Sequence, residues 1–288
     1  MSSPWTPFHQ AEALTTRLAN ILDEYPPGVS TLREFVQNAD DAGASKIVLC
    51  LDLGCNGTSN AAAGELPTSN LADFNGPSLL VYNDATFSER DFASITAIGK
   101  SRKRDDNTTI GKYGLGFNVV YHFTDLPQFV SGDTIVLFDP HGKHLPGDGE
   151  LGMRAKFTDG LAERYPGLLD PLLAPLAQLH ESAAKSGGAA AGSWQPQRDQ
   201  PIDATLFRLP LRTEAQARTS ELSSRAVSPS EVRELLEQLC EGHGLGEMLL
   251  FTQHLTSIEC CVREGAALTS LGSACVEGAT SPHPAADG

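Results

Sequence analysis

The stretch Leu32–Ala44, LREFVQNADDAGA, decides how the rest of the chain is read. Placed at about 100° per residue, Leu32, Phe35, Val36, Ala39 and Ala42 fall on one broad apolar stripe. The spacing predicts a helix from about Thr31 to Ala42, docked by that stripe and stopped by Gly43. Arg33, Gln37 and Asp40 fall on a second, solvent-directed sector. Glu34, Asn38 and Asp41, at i, i+4 and i+7, share a third sector roughly 60° wide. Three polar groups on one sector can jointly face a polar cavity. A local alternative stands beside this one. Thr31-Leu32-Arg33-Glu34 has capping-box spacing, which would turn Glu34 back to the Thr31 N–H and leave Asn38 and Asp41 merely solvated.

Outward from this helix, residues 9–24 place Leu14, Leu18, Ile21 and Leu22 at helical spacing, and Pro26-Pro27-Gly28 ends that run. KIVLCLD (46–52), SLLVY (78–82), DTIVLFDP (133–140) and ATLFRLPLR (204–212) read as strands. The polar Gly/Asn/Pro-punctuated segment between the first two reads as a surface excursion. Ser88 and Asp91 have capping-box spacing at the head of a helix to Ile98. Leu115–Phe123 reads as a helix behind a glycine-rich entry. Residues 161–179 read as helical, interrupted by Pro166, Pro171 and Pro175, and Glu231–Cys240 as a last helix. Residues 183–197 and the chain after about Ala266 read as loosely held. Interleaved helices and strands with a hairpin predict an α/β fold with a mixed sheet.

With 288 residues, 40% hydrophobic and 20% charged, the chain can bury a substantial core. No apolar run approaches the ~20 residues of a bilayer span, and the first residues lack the basic start and apolar block of a secretory leader. The six cysteines form no CxxC pair and no zinc-like spacing with histidine, so they read as reduced thiols of a cytosol-like, cytoplasmic setting. A net charge of −15 argues against nucleic acid or an anionic membrane as a general partner. The local exception is Lys100, Arg102, Lys103 and Arg104 in GKSRKRDD, which reads equally as a solvated loop.

Two further segments bear on the polar sector. SLLVYNDATF puts Asp84 just past a buried strand, where an ionised carboxylate can accept from an exocyclic amino group; a turn-forming Asn-Asp pair is the other reading. GKYGLGF, Gly111–Phe117, spaces its glycines G-x-x-G-x-G ahead of an apolar run, letting backbone N–H groups approach an anion. This is neither the phosphate loop of P-loop enzymes nor the dinucleotide turn, and no acidic ribose reader follows it.

In this order, E-x-x-x-N-x-x-D-A, an Asp after a strand, and G-x-x-G-x-G-F closely resemble the GHKL ATPases, which include gyrase B, heat-shock chaperones, histidine kinases and MutL. The match is nearer to the sacsin-type repeats, carried by FHQAEALTTRLANILDEYP, LREFVQNADDAGA, YNDATFSERDF, IGKYGLGFNVVYHFTD and TLFRLPLR. It covers roughly residues 8–140 and 204–260. Two features depart from common superfamily patterns. Asp84-Ala85-Thr86-Phe87 stands where many members carry D-x-G-x-G, and Asp203-Ala204 precedes Thr205 where a glycine is common.

The resemblance implies a two-layer α/β sandwich of the Bergerat type, with helices on one face of a mixed sheet and nucleotide between the layers. It implies Glu34 as the general base toward an attacking water and Asn38 as the Mg²⁺ ligand. Asp84 would read adenine, Thr205 would lie at its far side, and Asp41 would support the pocket. Gly111, Gly114, Gly116 and Phe117 would form the phosphate loop, and Gly99–Ile110 the lid, bringing Lys100, Arg102 and Lys103 toward phosphate. The implied division is a helical lead-in (1–27), an ATP-binding domain (28–212, with insertions near 53–77 and 183–200), a linker (213–230), a helix/strand extension (231–264) and a disordered tail (265–288). The implied function is Mg²⁺-dependent ATP hydrolysis driving a chaperone-like switch in protein quality control, with ATP/ADP and protein clients or co-chaperones as partners. Alternatives are a nucleotide-gated module that barely hydrolyses ATP, and a DNA-associated ATPase, which the acidic charge disfavours. The sequence does not specify an oligomeric state.

Overall fold

The near-continuous apolar run of β1 (Lys46–Asp52) suits a strand buried on both faces, and alternation divides its side chains between two cores. Ile47, Leu49 and Leu51 enter one core, Val48 and Cys50 the other. The computed structural model describes residues 12–54, 65–96, 116–186 and 194–276. Before β1 come α1 (Leu14–Glu24) and α2 (Val29–Asp41); after it come a 3-10 helix (Ser69–Phe74), β2 (Ser78–Asn83) and α3 (Glu89–Ile95). A second 3-10 helix (Gly116–His122) leads to β3 (Gln128–Gly132), β4 (Thr134–Phe138) and β5 (Gly152–Lys156). Then follow α4 (Leu161–Arg164), α5 (Pro166–Leu173), α6 (Leu176–Ser186), β6 (Ile202–Pro210), α7 (Glu214–Ala217), α8 (Pro229–Cys240), α9 (Gly244–Leu249), β7 (Ser257–Glu264) and β8 (Ala267–Cys275).

The strands form one mixed sheet in the order β5-β4-β3-β6-β2-β1-β7-β8, with β1 and β7 parallel and the other neighbours antiparallel. On one face lie α1, α2, the second 3-10 helix, α8 and α9, through Leu18, Phe35, Val120, Leu236 and Leu245 among others. The mixed sheet and α/β class match the expectation. The structure adds a second helical layer: α5 and α6 cover the opposite face through Leu169, Leu172, Leu176 and Leu179. Pro166 opens α5 at its first position, where a missing N–H is harmless. A smaller aromatic cluster of Phe87, Phe92, Phe129, Phe138 and Phe207 lies on the outer strands.

Several local expectations are corrected. The α2 helix starts at Val29, so Thr31 lies inside its first turn and its N–H donates to the Gly28 carbonyl at 3.0 Å. The capping box that would have occupied Glu34 is therefore absent. At the other end Gly43 takes φ +76°, with Gly43 N–H to Asp40 and Ala44 N–H to Ala39, the Schellman stop expected of it. Asp40, expected in solvent, is buried and accepts the N–H groups of Gln253, His254 and Leu255 at 2.7–3.0 Å. Residues 257–264 are no appendage, because β7 pairs along the whole of β1. Residues 267–275, expected in a disordered tail, form β8 on β7. The short strands β3 and β5 have no counterpart among the sequence expectations, and 116–122 is 3-10 rather than α.

Candidate functional site

Helix α2 is held at both ends and along one side. Leu32, Phe35, Val36 and Ala39 are buried against the sheet, the Schellman turn closes its C-terminus, and Asp40 ties it to the segment before β7. Among the described residues, the side chains of Glu34, Asn38 and Asp41, which share one sector of the helix, are left without a hydrogen bond. Glu34 is half-buried; Asn38 and Asp41 are exposed.

The second 3-10 helix comes up to this sector. A β-carbon built on Gly116 would stand 3.1 Å from Glu34 Oε2 and 3.2 Å from Asn38 Oδ1. Glycine is required here by proximity. Behind it, Arg212 anchors the helix from its other end. Its guanidinium, fully buried, pairs with Asp125 at 2.6 Å and donates to the carbonyls of Tyr121 at 2.7 Å and His122 at 3.4 Å. A cation on those C-terminal carbonyls is electrostatically favoured. His122 adds a contact from Nε2 to the Tyr25 carbonyl at 2.5 Å, and its burial lowers its pKa against the opposing pull of that carbonyl. Phe117 packs on Phe138 and Phe207 at ring separations of 5.6 and 6.0 Å.

The end of β2 separates two neighbouring residues. Leu79 and Val81 enter the core on the α2 face, while Leu80 and Tyr82 enter the opposite one. Continuing this period of two, Asn83 faces α2, opposite Ile47 on β1 and Thr205 on β6. Thr205 is buried and closes a relay: Phe87 N–H donates to Ser131 Oγ, which bonds Thr205 Oγ1, which donates to the Ala85 carbonyl. Asn83 Oδ1 accepts the Ala85 N–H at 3.1 Å.

Asp84 turns the other way. Oδ1 accepts the N–H groups of Ser45 and Lys46 at 2.8 and 2.9 Å, and Oδ2 accepts the Ser45 hydroxyl at 2.5 Å. Its charge acts on Tyr82 and on His180 of α6, both on the second face. Asp84 thus staples the start of β1, and the residue that the structure brings to the α2 face beside Thr205 is Asn83. The β-strand alternation of Leu79, Val81 and Asn83 is the sequence signal that identifies it.

Asp41 lies one turn beyond Asn38; though its surface is exposed, partial desolvation of its carboxyl and the charge of Asp40 raise its pKa above the ordinary value. Lys100, Arg102, Lys103, Gly111 and Gly114, with the expected lid 99–110, lie outside the described residues. The described site therefore joins Glu34, Asn38 and Gly116 in direct proximity, with Asn83 and Thr205 on the same face of the sheet.

The family model described as "Sacsin domain" matches residues 11–270. Human (Homo sapiens) Sacsin is 32% identical over an alignment of 260 residues that covers 86% of this chain and 5% of that protein's length. The chain spans only a small part of this relative.

Proposed function

The chain belongs to the sacsin domain family, and from that membership we propose that it binds ATP with Mg²⁺ and hydrolyses it at the Glu34–Asn38–Gly116 site. The carrying observation is the space at Gly116, which a single β-carbon would fill against both Glu34 Oε2 and Asn38 Oδ1. A carboxylate and an amide oxygen beside a side-chain-free backbone suit a phosphate-bearing ligand and an oxygen-seeking cation. Asn38 would hold Mg²⁺ through Oδ1, and the bound ion would neutralise phosphate charge.

Glu34 is set one helical turn from Asn38 on a helix fixed by its core contacts. Half-buried, it would orient a water and accept its proton. Asn83 reads the base in this proposal. With Oδ1 already accepting from Ala85, its Nδ2 donor is the group offered to a ring nitrogen of adenine. Thr205 holds the Ala85–Phe87 backbone that borders this position. A nucleotide-dependent conformational change would make the domain a chaperone-like switch acting on protein clients. Reduced thiols at Cys50, Cys240, Cys260, Cys261 and Cys275 support a cytoplasmic setting.

Calorimetry with ATP and ADP, each with and without Mg²⁺, tests the binding step, and release of inorganic phosphate tests turnover. No binding at millimolar nucleotide overturns the reading as a whole. Binding with intact ATP after hours at single turnover leaves a nucleotide-gated module without hydrolysis.

A further inference from the structure

We propose that the loop joining β4 to β5 carries a site for a divalent transition-metal ion, built from Asp139, His141 and His144. One ligand atom from each residue lies within 4.8 Å of the other two. The order Asp139-Pro140-His141-Gly142-Lys143-His144 is turned back on itself at Gly142, whose φ is +62° and where a β-carbon would meet the Gly149 backbone at 3.0 Å.

Asp139 is completely buried. Its Oδ2 accepts the N–H groups of Lys143 and His144 at 2.8 and 2.6 Å, with Leu145 at 3.4 Å, so the carboxylate itself folds the loop. Its Oδ1 is buried with no hydrogen-bond partner among the described residues, as are His141 Nδ1 and His144 Nδ1. Three buried polar atoms without partners, on residues whose ligand atoms come this close, are costly unless something joins them. A cation satisfies all three at once. Ligand atoms on one ion with bonds of about 2.0–2.2 Å stand about 3.4 Å apart, so no edge of the triangle need close by more than about 1.5 Å.

Two imidazoles and one carboxylate favour Zn²⁺ and its transition-metal neighbours over Mg²⁺ or Ca²⁺. A cavity of about 80 Å³ adjoins His141 and His144, bordered also by Asp125 and Ser220, and gives room for a water as a further ligand. Phe74 packs edge-on against His144 at 4.9 Å and the Thr68 hydroxyl holds the His144 carbonyl, so the ring is braced.

One existing bond must change. His141 Nε2 accepts the Glu221 N–H at 3.0 Å. A metal on Nδ1 places the imidazole proton on Nε2, and that hydrogen bond opens. Glu221 stays tethered by its carboxylate to Lys143 and Thr15. Metal binding therefore leaves a local mark: faster exchange of the Glu221 amide.

The test is titration of the chelator-treated full chain with Zn²⁺, with Cys275, which is exposed, changed to Ser. One equivalent should bind at micromolar Kd or tighter, and His144→Gln should weaken binding by about 100-fold without lowering the metal-free thermal midpoint. Co²⁺ in place of Zn²⁺ should give a visible spectrum of nitrogen and oxygen ligation, and hydrogen exchange at Glu221 should quicken on binding. Absence of binding at 100-fold excess Zn²⁺, sulfur ligation of Co²⁺, or equal affinity in His144→Gln overturns the proposal. If His144→Gln fails to fold, the Co²⁺ spectrum and Glu221 exchange of the unsubstituted chain decide. ATP binding is untouched by any of these outcomes.

Discussion

Glu34 and Gly116, on different elements and far apart in sequence, approach so closely that one β-carbon would put them in contact at 3.1 Å. Gly116→Ala puts a methyl group into this approach to Glu34 and Asn38. We expect the thermal midpoint to stay within a few degrees and nucleotide affinity to fall about tenfold or more. Unchanged affinity in a calorimetric titration would show that the ligand does not use this gap.

Removing the carboxylate separates binding from chemistry. Glu34→Ala should leave ATP affinity within a few-fold and lower phosphate release by about 10²–10⁴-fold, the usual range for a lost general base. Equal turnover with and without the carboxylate would falsify the catalytic role.

Asn83 and Asp84 are adjacent but should behave oppositely. Asn83→Ala is expected to weaken ATP binding, with a smaller stability loss of about 1 kcal/mol from the one Ala85 N–H bond it removes. Asp84→Ala removes the acceptor of two backbone N–H groups and a hydroxyl, and should lower unfolding free energy by about 1–3 kcal/mol. Urea unfolding and nucleotide titration on both variants check this. Loss of nucleotide binding in a folded Asp84→Ala protein, with Asn83→Ala unaffected, reverses the assignment.

Arg212 reaches no ligand in this account, yet it holds the helix that begins at Gly116. Arg212→Ala leaves Asp125 buried and unpaired and frees the Tyr121 carbonyl. Breaking a buried pair in this way costs about 3–5 kcal/mol. Exchanging both partners, Arg212→Met with Asp125→Leu, should recover part of the loss, as measured by denaturant midpoints.

Acid sensitivity follows from histidines held neutral. Burial lowers the pKa of His122 and of His180 below the ordinary value near 6.5, and Arg212 and Lys46 respectively push the same way. Below 6.5 the unfolded chain takes up these protons before the folded one does. Stability should thus be full above about pH 6.5, fall as pH drops toward the lower folded values, and level off beneath them. His122→Gln should flatten that slope; an unchanged slope in urea melts between pH 7.5 and 5 refutes the contribution of His122.

Local spacing was sufficient for much of this protein. The 3.6-residue period of LREFVQNADDAGA separated a core stripe from the Glu34–Asn38 sector, and Gly43 marked the helix end, because both depend only on neighbouring residues. The apolar run of β1 likewise marked a strand buried on both faces, and the ordered motifs identified the family. Tertiary structure decided the rest. Alternation from Leu79 and Val81 puts Asn83 rather than Asp84 on the α2 face, but that Thr205 is what it meets there was set by the pairing of β2 with β6. Asp40 looked solvent-directed because its three N–H donors come from residues 253–255, and β7 looked peripheral because its parallel partner β1 lies at the other end of the chain. Such pairings are set by long-range closure and register, to which helical or strand periodicity is blind.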